Sequence, residues 1–256
     1  MSDIRRVLSV IPARGGSKGL PGKNLLPFAG APLIAHTITF AKMCPEIDRC
    51  LVSTDSSEIA EVAKRFGADV PWLRPAELAR DDTPIWPVLR HALEEAEREQ
   101  GGHYDALLLL DPTSPAREPS DVAEALRRLI GQSDADGIIG VSQPDFNPTW
   151  HCVVEREGWM VALHPEGVRC ERRQEAPAVY RINGSLYLWR TAFVRRCADG
   201  RWRRDGRHLL YEIPERRAMS IDTADEFERA EALVKMGVVQ LPWAAPRVPH
   251  RQGVLR

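Results

Sequence analysis

Short apolar runs recur along the first 140 residues, and the stretches between them place apolar side chains every three or four positions. Val7–Ile11, Cys50–Ser53, Ala106–Leu110 and Gly137–Val141 are dominated by apolar or β-branched residues, as in strands covered on both faces. Pro32–Lys42, Ser57–Phe66, Thr83–Glu99 and Pro119–Ile130 are each long enough for a helix. Ser56 or Ser57 before Glu58-Ile59-Ala60, and Ser120-Asp121 before Ala123-Glu124-Ala125-Leu126, mark helix starts, because an oxygen-bearing side chain satisfies an amide left unpaired in the first turn. This alternation predicts an α/β protein whose parallel sheet carries helices on both faces. Ligands of such sheets bind beyond the carboxyl ends of the strands.

The rhythm then breaks. Ser142–Tyr180 carries Pro144, Pro148, Pro165, Pro177 and two hairpin-like pieces, Cys152–Val154 and Met160–Leu163, around Gly158. Residues 142–180 therefore read as an insertion that packs on the side of the sheet or reaches a partner subunit. The main domain comprises 1–141 and 181–240, with Gly184–Trp189 as a strand, Leu210–Ile213 as an edge strand and Thr223–Met236 as the last helix, closed by Gly237. Residues 241–256, rich in Pro and Arg, read as an irregular tail.

Composition narrows the class. A chain of 256 residues suits one large domain with a substantial core. Its formal charge of −1 offers no general polyanion surface, so no nucleic-acid partner is expected. The five cysteines are scattered and never form C-x-x-C, which favours reduced thiols over a disulfide framework or zinc site. No signal-peptide core opens the chain, and no run approaches the ~18 apolar residues of a membrane span. The expectation is a soluble, cytoplasmic protein.

Candidate chemistry starts directly behind the first strand. Ile11–Asn24 reads Ile-Pro-Ala-Arg-Gly-Gly-Ser-Lys-Gly-Leu-Pro-Gly-Lys-Asn. Glycines let a backbone approach phosphate oxygens and point successive amides at them, while Arg14, Lys18 and Lys23 supply charge. The alternative is a solvated surface turn. The segment fits neither a Walker A nor G-x-G-x-x-G, so it is a different kind of phosphate loop.

Joined to later segments, this loop resembles the acylneuraminate cytidylyltransferases, or CMP-sialic acid synthetases, over roughly residues 5–236. The blocks are Ile11–Asn24; Val52-Ser53-Thr54-Asp55 with Ile59–Gly67; Leu73-Arg74-Pro75-Ala76-Glu77-Leu78-Ala79 with Asp81-Asp82-Thr83; Asp111-Pro112-Thr113-Ser114-Pro115; Arg181–Tyr187; and, in part, Ser220-Ile221-Asp222-Thr223 leading into Glu226-Phe227. The resemblance implies a Rossmann-like, GT-A-type domain with a mixed, mainly parallel sheet. It also implies a homodimer using CTP and Mg²⁺ to make a CMP-activated sugar acid.

In that reading Ala13, Arg14, Gly15, Gly16, Ser17, Lys18, Lys23, Asn24, Arg74, Asp82 and Thr83 bind the nucleotide, with Thr83 as a plain helix cap the alternative. Arg14, Lys18, Lys23 and Asp222 carry catalysis by positioning and charge neutralisation. Ser53-Thr54-Asp55 either reaches the ligand or forms a helix-entry turn. Asp222 suits Mg²⁺, a hard cation that takes carboxylate oxygens and keeps phosphate and water ligands.

Three departures mark this chain. Ser220 stands where the family shows a first acidic residue, and Asp111 stands at an acceptor-binding position where a Gln contacting the sugar acid is common, so Asp111 and Asp222 are expected to share the metal. A turn cap is the other reading of Asp111. Arg173 aligns with the arginine that holds the acceptor carboxylate, and Asn183 and Tyr187 with residues facing the sugar acid. Finally, Trp150 and Arg201-Trp202-Arg203-Arg204 replace a lysine and an aromatic pair on the acceptor side, although both tryptophans fit packing better than sugar stacking. The expected acceptor is a sialic-acid-like nonulosonic acid. The alternatives are a Kdo-type sugar acid or a phosphonate, or a catalytically idle nucleotide-binding protein. No histidine constellation or dedicated general base is legible.

Overall fold

The computed structural model describes residues 4–244, apart from the side chain of Arg173. Its strands are β1 (Val7–Pro12), β2 (Pro27–Phe28), β3 (Ala31–Pro32), β4 (Arg49–Ser53), β5 (Ala106–Leu109), β6 (Gly137–Ser142), β7 (Val153–Arg156), β8 (Trp159–Ala162), β9 (Arg181–Arg190) and β10 (His208–Glu212). One sheet runs in the order β10-β6-β9-β5-β1-β4. Strands β4, β1 and β5 are parallel, as are β10 and β6, whereas β9 is antiparallel to both neighbours. The chain leaves β6 and returns through residues 143–180 on the same side, so β9 starts at the end of the sheet where β6 stops and runs back antiparallel between β6 and β5. That reversal brings the start of β9 beside the carboxyl ends of β1 and β5.

Alternate side chains of the central strands enter two cores, as a pleated sheet requires. Ile11, Val52, Leu108 and Ile138 meet α1 (Leu33–Met43), α2 (Ser57–Arg65) and Val122, Ala125 and Leu129 of the helix Pro119–Gly131. Val10, Leu51, Leu107 and Trp189 meet α3 (Ile85–Gln100) and Phe193 on the other face. Trp86 packs edge-on against Trp189 at 5.0 Å and Phe193 at 5.8 Å, the arrangement aromatic quadrupoles favour. A third cluster joins Phe28 and Leu33 to Ile221, which precedes the last helix (Ala224–Lys235), and to Ala230 within it.

Helix starts follow local chemistry more closely than residue type alone suggests. Ser56 caps α2, accepting from the Ile59 amide at 3.3 Å. The cap of α4 (Pro119–Gly131) is Glu118 rather than Ser120, with Asp121 reaching back to the Glu118 amide at 2.8 Å. Helix α3 begins at Ile85, after Pro84, so Asp82 and Thr83 precede it, and the Thr83 hydroxyl donates to the Glu77 carbonyl at 3.1 Å. The insertion contains the antiparallel hairpin β7–β8, turned by Glu157 and Gly158 in left-handed conformation.

The described start of the tail, residues 241–244, is docked on the main domain. Leu241 is buried, and Trp243 Nε1 donates to His36 Nδ1 at 2.9 Å. His36 must then carry its proton on Nε2, which donates to the Phe28 carbonyl at 2.7 Å. Burial lowers its pKa and keeps it neutral. The tail from 245 onward lies outside the described residues.

Candidate active site

A cleft of about 750 Å³ opens at the carboxyl ends of β1 and β5 and the start of β9. Arg14, Ser17, Lys18, Lys23 and Asn24 line one part of it. Each of the three cations faces a carboxylate. Arg14 Nη1 and Lys18 Nζ lie 2.7 Å from the two oxygens of Asp81, and Lys23 Nζ lies 2.6 Å from Asp222 Oδ1. Hydrogen bonding from Lys18, reinforced by Arg14, holds the Asp81 carboxyl below its ordinary range.

Tertiary contacts hold the loop in place. The Gly15 amide donates to Asp55 Oδ1 at 2.9 Å, and Asn24 Nδ2 donates to the Arg14 carbonyl at 3.2 Å. A Cβ on Gly19 would sit 2.5 Å from the Asp222 carbonyl oxygen, so only glycine allows this approach. Ala13, Gly15, Gly16 and Asp82 do not line the cleft. Ala13 is buried and continues the β1–β4 ladder by donating to the Ser53 carbonyl at 2.9 Å; Gly15 has given its amide to Asp55; Gly16 and Asp82 point to solvent. Asp81, which the sequence did not single out, takes the place expected of Asp82.

Ser53-Thr54-Asp55 forms the helix-entry turn and also braces its neighbours. Ser53 Oγ accepts from Arg74 Nε at 3.0 Å, and Thr54 Oγ1 accepts from the Ser56 amide at 3.1 Å. Arg74 and Thr83 do line the cleft. Burial draws the Arg74 pKa down to about 10, with Asp55 opposing and Arg14 adding to the effect, so the side chain stays charged.

Asp111 and Asp222 lie on the same cleft. The Ile221 amide donates to the Thr113 carbonyl at 3.0 Å, pinning the segment that carries Asp222 to the Asp111 turn. Burial, together with the charge of Asp222, pushes the Asp111 carboxyl up to about 6 against the pull of Arg117 and Lys23. Among the described residues no group donates a hydrogen bond to that carboxylate, and Gly184 leaves space beside it. For Asp222, burial pushes the pKa upward, but hydrogen bonds from Lys23 and Ser220 outweigh it and hold the carboxyl low. Ser220 Oγ donates to Asp222 Oδ2 at 2.7 Å, so the residue that replaces an acidic side chain orients the remaining one. Two carboxylates, one without a donor, fit a small hard cation that completes its shell with phosphate oxygens and water.

The start of β9 forms the remaining wall. Its pairing with β6 jumps from Ile139↔Tyr187 to Val141↔Ile182, so Asn183–Leu186 bulge out of the ladder and Gly184 takes φ +74°. Asn183 is nonetheless fixed, donating to Ser142 Oγ at 2.9 Å and accepting from the Ser185 amide at 3.0 Å. Tyr187 lines the cleft and stacks on Trp189 at 5.5 Å, with Trp202 edge-on at 5.9 Å. Trp202 is thus packing. Trp150 lies in the insertion against His151, ring centroids 4.7 Å apart. Arg173 belongs to a short 3₁₀ turn, and its side chain lies outside the described residues. Two arginines were given no role from sequence: Arg181, which opens the Arg181–Tyr187 block, on the cleft wall and paired with Glu215, and Arg117, buried behind it. Neither belongs to a periodic pattern, because their partners are distant in sequence.

Comparison with known proteins gives a consistent picture. A family model described as cytidylyltransferase matches residues 8–102. The CMP-N,N'-diacetyllegionaminic acid synthase of Legionella pneumophila is 39% identical over 190 residues, covering 72% of this chain and 77% of that protein. The CMP-N,N'-diacetyllegionaminic acid synthase of Campylobacter jejuni is 31% identical over 236 residues, covering 91% of this chain and 97% of that protein. Among solved structures, a CMP:2-keto-3-deoxy-manno-octonic acid synthetase complexed with CTP superposes with a TM-score of 0.69 at 19% identity, covering 91% of this chain and 99% of that one. At that identity the likeness concerns the fold.

Proposed function

The chain belongs to the cytidylyltransferase family, and from that premise we propose that it makes the CMP conjugate of a nonulosonic sugar acid, with Mg²⁺ held by Asp111 and Asp222. The reaction is CTP-dependent cytidylyl transfer to a sugar acid. The observation that carries the reading in full is one cleft with cations on one wall, two carboxylates 111 residues apart in sequence on another, and polar β9 side chains on a third.

The acceptor hydroxyl oxygen attacks the α-phosphorus of CTP, the bond to the β-phosphate oxygen breaks, and pyrophosphate leaves as the hydroxyl proton is released. Charge grows on the leaving group, so the protein's work is alignment and neutralisation. Arg14, Lys18 and Lys23 exchange their carboxylate partners for phosphate oxygens. Arg74, anchored on Ser53, adds a fixed positive charge behind them. Mg²⁺ held by Asp111 and Asp222 would supply Lewis-acid stabilisation of the phosphoryl oxygens and would ease loss of the acceptor hydroxyl proton. Asn183 and Tyr187 offer hydrogen bonds to the acceptor, and Arg173 a planar fork for its carboxylate. No histidine lines the cleft among the described residues, consistent with chemistry that rests on positioning.

The β7–β8 arm supports a homodimer. Trp159 and Met160 are 75% and 79% exposed on opposite faces of the hairpin, with Val161 on the side of Trp159 and Val153 on the side of Met160, and exposed apolar surface of this kind marks interfaces. The free thiols and the nucleotide substrate suit a cytoplasm.

The test is pyrophosphate release with CTP and Mg²⁺ against N,N'-diacetyllegionaminate, pseudaminate, N-acetylneuraminate, Kdo and small phosphonates, with ATP, GTP and UTP as nucleotide controls. Turnover confined to CTP and a nonulosonate is expected. Turnover with Kdo or a phosphonate alone would move the acceptor class, and CTP binding without release on any acceptor would overturn the enzymatic reading.

A further inference from the structure

We propose that Arg117 is a positioning residue for the metal-side carboxylate, a buried fork that binds the Asp111 turn and the bulge of β9 into one rigid unit. The inference rests on the assignment of Asp111 and Asp222 to the metal. Arg117 is 1% exposed and does not line the cleft, so it cannot touch a ligand there. Its guanidinium donates in three directions. Nη2 reaches the Asp111 carbonyl at 2.7 Å, Nε reaches the Ser185 carbonyl, and Nη1 reaches Thr37 Oγ1 of α1 at 3.3 Å. The Phe40 ring lies 5.8 Å from the guanidinium carbon.

These contacts answer a need created by the fold. Ser185 belongs to the bulge that has left the β6 ladder, so its carbonyl has no strand partner there. The Asp111 carbonyl closes a tight turn by accepting from the Ser114 amide at 3.2 Å, and Arg117 occupies its second lone pair. A buried carbonyl without a donor is costly, and one planar fork serves both segments where two unrelated side chains would otherwise be required.

Charge points the same way. A buried guanidinium needs a counter-charge. Asp121, one nearby carboxylate, is already taken on both oxygens by Arg217 at 2.7 and 3.1 Å. Asp111 is the carboxylate that remains, and it accepts no hydrogen bond of its own among the described residues. Arg117 thus offsets the charge of Asp111 while fixing where the Asp111 side chain starts. Burial lowers its own pKa to about 10, which leaves it charged at neutral pH.

The experiment uses the full chain saturated with CTP and follows Mn²⁺ binding by electron paramagnetic resonance in wild type, Arg117→Lys and Arg117→Gln. The lysine keeps the charge and loses the fork; the glutamine keeps a donor and loses the charge. Both variants are expected to weaken Mn²⁺ at least tenfold, with metal-free CTP affinity within twofold of wild type, because Arg14, Lys18 and Arg74 are held by other partners. Mn²⁺ affinity within twofold of wild type in either folded variant would overturn the proposal. So would a parallel loss of metal-free CTP affinity, which would mark Arg117 as general scaffolding. Failure of wild type itself to take up Mn²⁺ beside CTP would instead overturn the metal assignment on which the role depends.

Discussion

Asp111 concentrates the conflict between stability and chemistry in a single side chain. Its pKa rises from an ordinary 3.8 to about 6 because burial and Asp222 disfavour its charge. Protonation is therefore favoured by the folded state, and the ionised carboxylate opposes folding. The destabilisation is complete above about pH 6 and fades as the pH falls toward 4. Asp111→Asn should accordingly raise the metal-free stability at pH 7 by roughly 1–3 kcal/mol, with the gain shrinking at pH 4.5. Thermal melts at the two pH values check this, and an equal effect at both would contradict it. The same variant should lose most of its Mg²⁺-dependent turnover. Asp81 illustrates competition rather than burial: its oxygens sit on Arg14 and Lys18, the cations proposed to hold phosphate. Asp81→Asn should tighten inorganic pyrophosphate binding about 2- to 10-fold at low salt, an effect of removing one nearby like charge. Calorimetry in 50 mM and 500 mM salt should show the gain shrinking as screening rises.

At the scale of elements, the junctions decide how the side chains meet. Gly19 permits contact between the cationic loop and the Asp222 segment, and a Cβ there would meet backbone oxygen at 2.5 Å. Gly19→Ala should leave the melting temperature nearly unchanged but raise the apparent CTP KM, because the loop is solvent-facing while its seat on Asp222 is displaced. Gly137→Ala acts in the opposite sense. Its Cβ would fall 2.5 Å from Trp189 Cδ1 and 2.6 Å from the Leu188 carbonyl, inside the β6–β9 pair. Overpacking of this kind costs about 1–3 kcal/mol and should lower the melting temperature by several degrees with little change in KM. Strand and helix positions were legible because the apolar period is local. The direction of β9 was not, since it depends on how the insertion returns. Nor was the cap of α4, where Asp121 and Glu118 act together and Arg217 holds Asp121 from far along the chain.

For the whole molecule, the exposed apolar arm is the feature that a single chain leaves unfinished. Light scattering at micromolar concentration should give a dimer, and Trp159→Glu with Met160→Glu should give a folded monomer. A monomeric wild type would contradict the reading. The division between sequence and structure follows range. By itself the sequence determined the strands and helices, the cationic loop and the block order shared with the cytidylyltransferases, because periodicity, turn chemistry and motif spacing are written over short stretches. Only the tertiary structure decided that Asp81 rather than Asp82 faces the cations, that Asp111 and Asp222 share a cleft, that Ser220 orients Asp222, and that Arg117 and Arg181 stand behind and beside them. Apart from the local Ser220–Asp222 contact, each of those facts depends on strands ending on one side of the sheet, and no local pattern encodes the distance between residues that only folding brings together.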